Sequence, residues 1–139
     1  MTDRRNFITG SAVAAASLTI PGKAIAADAD AGILEAWERW VAARTAINVL
    51  PVSYDEWDTR EENRLWQLVD KAEEDIRRAK AATKDGAAIQ LWIALAHSLE
   101  TLRQDELIAT RNLAAFEQDD PDFDWNVRLL LAALRSLEA

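Results

Sequence analysis

From Ile33 onward, apolar residues fall at spacings of three, four and seven: Ile33, Leu34, Trp37, Trp40, Val41 and Ile47. Glu35, Glu38, Arg39 and Arg44 take the other side. That period is helical, and it predicts a helix over 31–49. The helix closes where Leu50 meets Pro51, because the residue before a proline is driven out of the helical region. A second helix is expected through 55–82, with Trp57, Leu65, Leu68, Val69, Ala72, Ile76 and Ala79 as its buried stripe. Two starts compete for it, Ser53 with Glu56 and Thr59 with Glu62, each pairing a hydroxyl with a carboxylate three residues on. Glu73 with Arg77 and Glu74 with Arg78 stand four apart, acid first, as exposed helical ion pairs prefer.

The stretch TKDG then breaks the pattern, with Asp85 as the expected cap of the next helix. Ala88, Leu91, Trp92, Leu95, Leu99 and Leu102 make 87–102 the most apolar helix and the expected centre of the fold. Helical periodicity continues to Phe116, either as one helix or with a kink near Thr101. The segment 117–124 reads as a loop. The last helix, over 124–139, would be capped by Asp120 or Asp122, with Pro121 near its first turn. No segment alternates with period two, so strands are not expected. The fold class is therefore all-α, an antiparallel bundle of four or five helices.

Residues 1–32 do not share this pattern. Arg4 and Arg5 are followed by a mild apolar run from Ile8 to Ile20 and by the small-residue site Ala24, Ile25, Ala26. Charge, apolar run and small residues in that order are the zones of a cleavable export leader. The run is well short of the roughly 20 residues that span a membrane, so no permanent anchor is expected. Residues 10–27 carry no acid and no polar stripe, unlike the helices that follow. The expected organisation is a leader over 1–26 and a single helical domain over 27–139. Cleavage is placed after Ala26, with Ala27 and Ala29 as alternatives, and 27–32 (ADADAG) is read as a flexible lead-in.

The order Asp3, Arg4, Arg5, Asn6, Phe7, Ile8 resembles the twin-arginine (Tat) signal class, with Thr9 standing where that class often has Lys. Gly10, Ser11, Ser17 and Thr19 dilute the apolar run, and Pro21 and Lys23 precede the site. The resemblance implies that the Tat export machinery reads Arg4, Arg5, Phe7 and Ile8, and that the protein is periplasmic or secreted. Such a signal is an address and says nothing of fold.

Charge and missing residue types narrow the function further. Without 1–26, the chain keeps 23 acidic and 13 basic residues, a net charge near −10 over 113 residues. Nucleic acids and anionic lipids are bound through Lys and Arg, so neither is an expected partner. There is no Cys, which excludes disulfides and thiolate metal sites. Met1 is the only methionine and would leave with the leader, so no Met-ligated haem is expected.

His97 is the only histidine, one short of what a ferritin-like pair of helices needs. It is expected to be structural or partly exposed, not catalytic. Asp120, Asp122 and Asp124 imitate the start of a calcium loop, but Trp125 and Leu131 stand where that loop needs Gly and Glu. No metal, cofactor or catalytic residue is expected.

Six tryptophans are the most unusual feature. Trp37, Trp57 and Trp92 fall on the buried stripes, whereas Trp66 and Trp125 are expected to be partly exposed and to form a possible interaction surface. A Trp-rich first helix, AEEDI before TKDGAA, and a closing LLLAALRSLEA together resemble small all-helical bacterial proteins of unknown function, some of them prophage-associated. That resemblance implies a bundle and brings no catalytic residues.

Three functions remain open. The first is a non-enzymatic interaction or structural module, with Trp66 or Trp125 in an apolar patch. The second is a periplasmic small-molecule or cofactor-binding protein, with a pocket lined by Trp and a polar group such as His97. The third is a wall-active hydrolase, with two carboxylates facing across a cleft.

Overall fold

The computed structural model describes residues 21–51, 56–99, 104–117 and 123–139, with side chains from residue 30 in the first helix and from residue 60 in the second. The described residues are helical, without a strand: α1 (Pro21–Asn48), α2 (Glu56–Arg78), α3 (Lys84–Ser98), α4 (Asp105–Ala109), α5 (Leu113–Glu117) and α6 (Trp125–Glu138). Arg4, Arg5, Phe7 and Ile8 lie outside them. Ala24 and Ala26 lie in the first turns of α1.

Helix α1 packs along α2, and α3 along α6. Ile33, Ala36, Trp37, Trp40 and Ala43 of α1 share one buried cluster with Val69, Ala72 and Ile76 of α2, and Leu65 of α2 is buried as well. The pair runs antiparallel: Arg39 reaches Asp75, Trp40 reaches Glu73, and Arg44 lies over Trp66. Leu34 and Leu68, expected on these stripes, are 37% and 44% exposed. Ala36 and Ala72, both in the buried cluster, have no exposed surface. Helix α3 is central as expected, since it touches α1, α2, α4 and α6. Its Ala88, Ile89, Trp92, Ile93 and Leu95 are buried on several sides, whereas α6 buries the single stripe Val127, Leu131 and Leu134.

Several element boundaries differ from the sequence expectations, each for a local reason. The lead-in 27–32 is part of α1, and Asp30 is buried there at 1% exposure. Its carboxylate accepts from the backbone N–H of Ala82 (2.8 Å) and Thr83 (2.9 Å) and from the Thr83 hydroxyl. Helix α2 already runs through Thr59, which rules out the later of its two starts; Ser53 lies outside the described residues. Helix α3 is capped by Thr83 and not by Asp85: the Thr83 hydroxyl accepts from the Gly86 N–H at 3.1 Å. Asp85 instead accepts from Arg111 at 2.7 Å.

The run 87–116 is not one helix. It leaves helical geometry at Leu99 (φ −109°, ψ 134°) and again at Arg111 (φ 52°). Arg111 N–H bonds the Ile108 carbonyl and Asn112 N–H the Leu107 carbonyl, the double closure that normally places glycine in the left-handed position. An arginine there costs about 1–2 kcal/mol of backbone strain, and its guanidinium supplies an offset. It donates to Asp85 and to Glu138 (3.0 Å), and Glu138 also accepts from the Trp92 indole at 2.9 Å. One arginine thereby fastens the end of α6 to the start of α3. Helix α6 opens after Asp124 rather than after Asp120 or Asp122, which lie outside the described residues.

Candidate functional site

The turn that Asp30 secures brings α3 back beside α2, and between those two helices lies an open groove of about 470 Å³. One wall is a single face of α2, where Asp70, Glu73, Glu74 and Arg77 recur at helical spacing. Ile76, Ile93 and Ala94 form an apolar floor, and Gln90 and His97 come from α3. Gln90 is fixed: its amide donates to the carbonyls of Ile76 (3.0 Å) and Ala79 (2.8 Å), which α2 leaves without helical partners at its C-terminal end.

Glu73 is the hinge of the site. One carboxylate oxygen accepts from the Trp40 indole at 2.8 Å, and the other lies 2.7 Å from His97 Nε2. Glu73 is mostly shielded while His97 stands out in solvent, their side chains 19% and 65% exposed. The partner expected for Glu73 on its own helix, Arg77, turns instead to Glu74, on which both its Nε and Nη2 close at 2.7 Å. The reason is position: Glu73 faces the seam with α1 and α3, and Glu74 faces outward. Arg77, and with it Arg78, holds the Glu74 carboxyl down to about 2, so Glu74 is ionised and locally neutralised. Asp70 has no hydrogen bond or ion pair among the described residues.

Past His97 the groove continues into a smaller hollow of about 190 Å³ lined by Trp40, Arg44, Trp66, Val69 and Ala96, with Asp70, Glu73 and His97 shared between the two. Here the Arg44 guanidinium lies 5.5 Å from the Trp40 ring centroid and 5.1 Å from that of Trp66, within the range of cation–π attraction. Trp37 stacks behind Trp40 at 5.1 Å and 13°. Arg44 also donates to Asp105 at 2.6 Å, while its Nε is buried with no partner among the described residues.

Trp125, the other tryptophan expected at the surface, belongs to a separate shallow hollow on α6 of about 370 Å³, with Arg128, Leu129, Ala132 and Arg135. Trp125 and Leu129 are 71% and 52% exposed, and Trp66 is 37% exposed. The structure therefore does not join Trp66 and Trp125 into one surface. Trp57 lies outside the described side chains.

The groove offers a histidine–glutamate pair, further carboxylates and an apolar floor. Ser98 and Ser136 give their hydroxyls to carbonyls of their own helices, Ala94 and Ala132, so neither is set against His97 as a nucleophile would be. Among the described residues, no group of three or more His, Cys, Asp or Glu side chains could hold a metal ion, and no helix is long and apolar enough to cross a membrane. The chain matches no protein-family model, and no curated protein or solved structure is significantly similar to it.

The sequence pointed to His97 and Trp66 but not to Asp70, Glu73 or Arg44. The spacing of 70, 73 and 74 was a readable sign of one acidic helix face. That His97 and Trp40 converge on Glu73 follows from packing between helices and has no local signature.

Proposed function

We propose that this chain is an exported, non-enzymatic binding module: a leader over 1–26 delivers, by the twin-arginine route, a single antiparallel helical bundle over 27–139 that works by packing against another protein. The observation that carries the binding reading is the outer face of α6. Trp125, Leu129 and Ala132 follow one another at helical spacing, and the first two are more than half exposed although α6 has its own buried stripe. Paired large apolar side chains on a face the fold does not use are a feature of partner surfaces.

The export part rests on Arg4, Arg5, Phe7 and Ile8 and on the Ala24, Ala26 site. Changing Arg4 and Arg5 together to Lys in the full chain is expected to leave an unprocessed precursor in the cytoplasm, followed by cell fractionation and by the shift in mass on cleavage. Continued export of a processed form would overturn the twin-arginine assignment. The binding part is tested with a photo-crosslinking amino acid at position 125 in the living host, against the same residue at the exposed position 106. A discrete adduct at 125 and none at 106 is the expected result; equal labelling removes the α6 face as the partner surface.

A second reading, a small-molecule-binding protein, is favoured by the hollow that sets Trp40 and Trp66 beside His97, in a groove of the volume that small ligands occupy. A wall-active hydrolase would need two carboxyls on opposite sides of a cleft, roughly 5 to 10 Å apart. The groove acids all stand on α2, and Asp85 and Glu138 meet only through the guanidinium of Arg111. Neither arrangement supports that third reading.

A further inference from the structure

We infer that the groove between α2 and α3 is a binding site for a small organic ammonium ion with an apolar body. The inference deepens the small-molecule reading by naming a ligand class, and it is independent of the export route and of the α6 face.

The shape comes first. A groove of about 470 Å³ with a floor of Ile76, Ile93 and Ala94 accepts an apolar group, and its continuation past His97 ends on the half-exposed ring of Trp66. The charge sets the sign of the ligand. Of the three carboxylates on the wall, Glu74 is taken up by Arg77 and Arg78. Glu73 has only the neutral indole N–H of Trp40 and the imidazole of His97 against it, and Asp70 has no partner among the described residues. Two carboxylates without an arginine or lysine partner thus stand three residues apart on one helix face, over an apolar floor. An ammonium group placed between them meets both, while its carbon body covers the floor.

This end of the groove already accommodates one cation, the chain's own guanidinium. Arg44 lies against the rings of both Trp40 and Trp66, and Trp66 as a whole is 37% exposed. An aromatic face beside carboxylates attracts organic cations, and the net charge of −8 adds a general pull of the same sign. A carboxylate ligand would meet Asp70 and Glu73 head-on. A neutral one would leave Asp70 unanswered.

Calorimetric titration of the full chain with 2-phenylethylamine, and in parallel with the isosteric neutral 2-phenylethanol, tests the inference. The amine is expected to bind with Kd below about 1 mM, and the alcohol to bind at least about tenfold more weakly. In Asp70→Asn with Glu73→Gln, which keeps an acceptor for Trp40, amine binding is expected to fall roughly tenfold or more, the loss of charge-assisted contacts. Glu35→Gln, an exposed change on α1, is expected to leave it unaltered. Thermal melts by circular dichroism establish that both variants are folded.

Amine binding that persists in the double variant, or that Glu35→Gln weakens equally, overturns the site. Equal binding of the alcohol overturns the ammonium class while leaving the small-molecule reading in place. No binding of the amine at several millimolar overturns the inference. The broader reading is then judged separately, by whether the protein purified from its host carries a retained small molecule in a native mass spectrum.

Discussion

Gly86→Ala should destabilise the protein by about 1–3 kcal/mol, although alanine at a helical position ordinarily stabilises by about 0.5–1 kcal/mol over glycine. Gly86 is buried and has a negative φ, so its backbone accepts any residue. The obstacle is Asp30. A Cβ on Gly86 would overlap Asp30 Oδ2 and stand 2.8 Å from its Cγ, and the carboxylate cannot retreat without giving up the N–H groups of Ala82 and Thr83.

Asp30→Ala removes the obstacle and the hydrogen bonds together, at an expected cost of about 2–4 kcal/mol, since bonds to a charged acceptor are the stronger kind. In that background the sign of Gly86→Ala reverses, and the double variant should be more stable than Asp30→Ala alone by a few tenths to about 1 kcal/mol. Urea unfolding of the wild type, both single variants and the double variant measures the cycle. Simple additivity would mean that the two residues do not meet.

Acid provides a second check on the same contact. The N–H of Ala82, followed by the Thr83 hydroxyl, holds the Asp30 carboxyl below its usual range against the opposing effect of burial. A carboxyl depressed in the folded state stabilises fully above its unfolded value, near ~4, and that stabilisation fades as pH falls through the folded value. The gap between wild type and Asp30→Ala is therefore constant at neutral pH and narrows below about pH 4.

The second large effect separates tryptophans that composition cannot tell apart. Trp92→Ala should cost about 3–5 kcal/mol, a large share of the total stability of a domain this size. Trp92 has no exposed surface, packs against Phe116 at 6.1 Å and gives its indole N–H to Glu138. Removal opens a cavity where α3 meets α5 and α6, and takes from Glu138 one of its two partners. Trp125→Ala removes a side chain that is 71% exposed and should change stability by no more than about 0.5 kcal/mol. Thermal unfolding followed by far-ultraviolet circular dichroism compares them. A comparable loss in both would contradict the burial pattern of α6.

Much of the architecture was legible because it rests on periodicity. Most of the stripes of α1 and α2, Leu34 and Leu68 apart, the centrality of α3 and the surface positions of Trp66 and Trp125 follow from the residue pattern. What escaped depends on contacts far apart in sequence. Asp30 stands among small residues and reads as a tail, since nothing near it announces that its partners are 52 and 53 residues away. Thr83 and Asp85 are both able caps, and the choice falls to Thr83 because Asp30 fixes that residue while Arg111 draws Asp85 elsewhere. Arg111 occupies a left-handed turn with no glycine to mark it, so the break between α4 and α5 has no sequence signal. At the groove, the acidic face of α2 is visible in the spacing of Asp70, Glu73 and Glu74. The pairing of Glu73 with His97 depends on how α3 returns against α2.

The contact between Asp30 and the start of α3 also bears on the order of folding. A helix normally begins on a signal within its own sequence, and Thr83 is one, but the N–H groups of Ala82 and Thr83 are satisfied only after α1 has docked. The first turn of α3 thus draws part of its hydrogen bonding from a residue more than fifty positions earlier, which links the stability of the two helices.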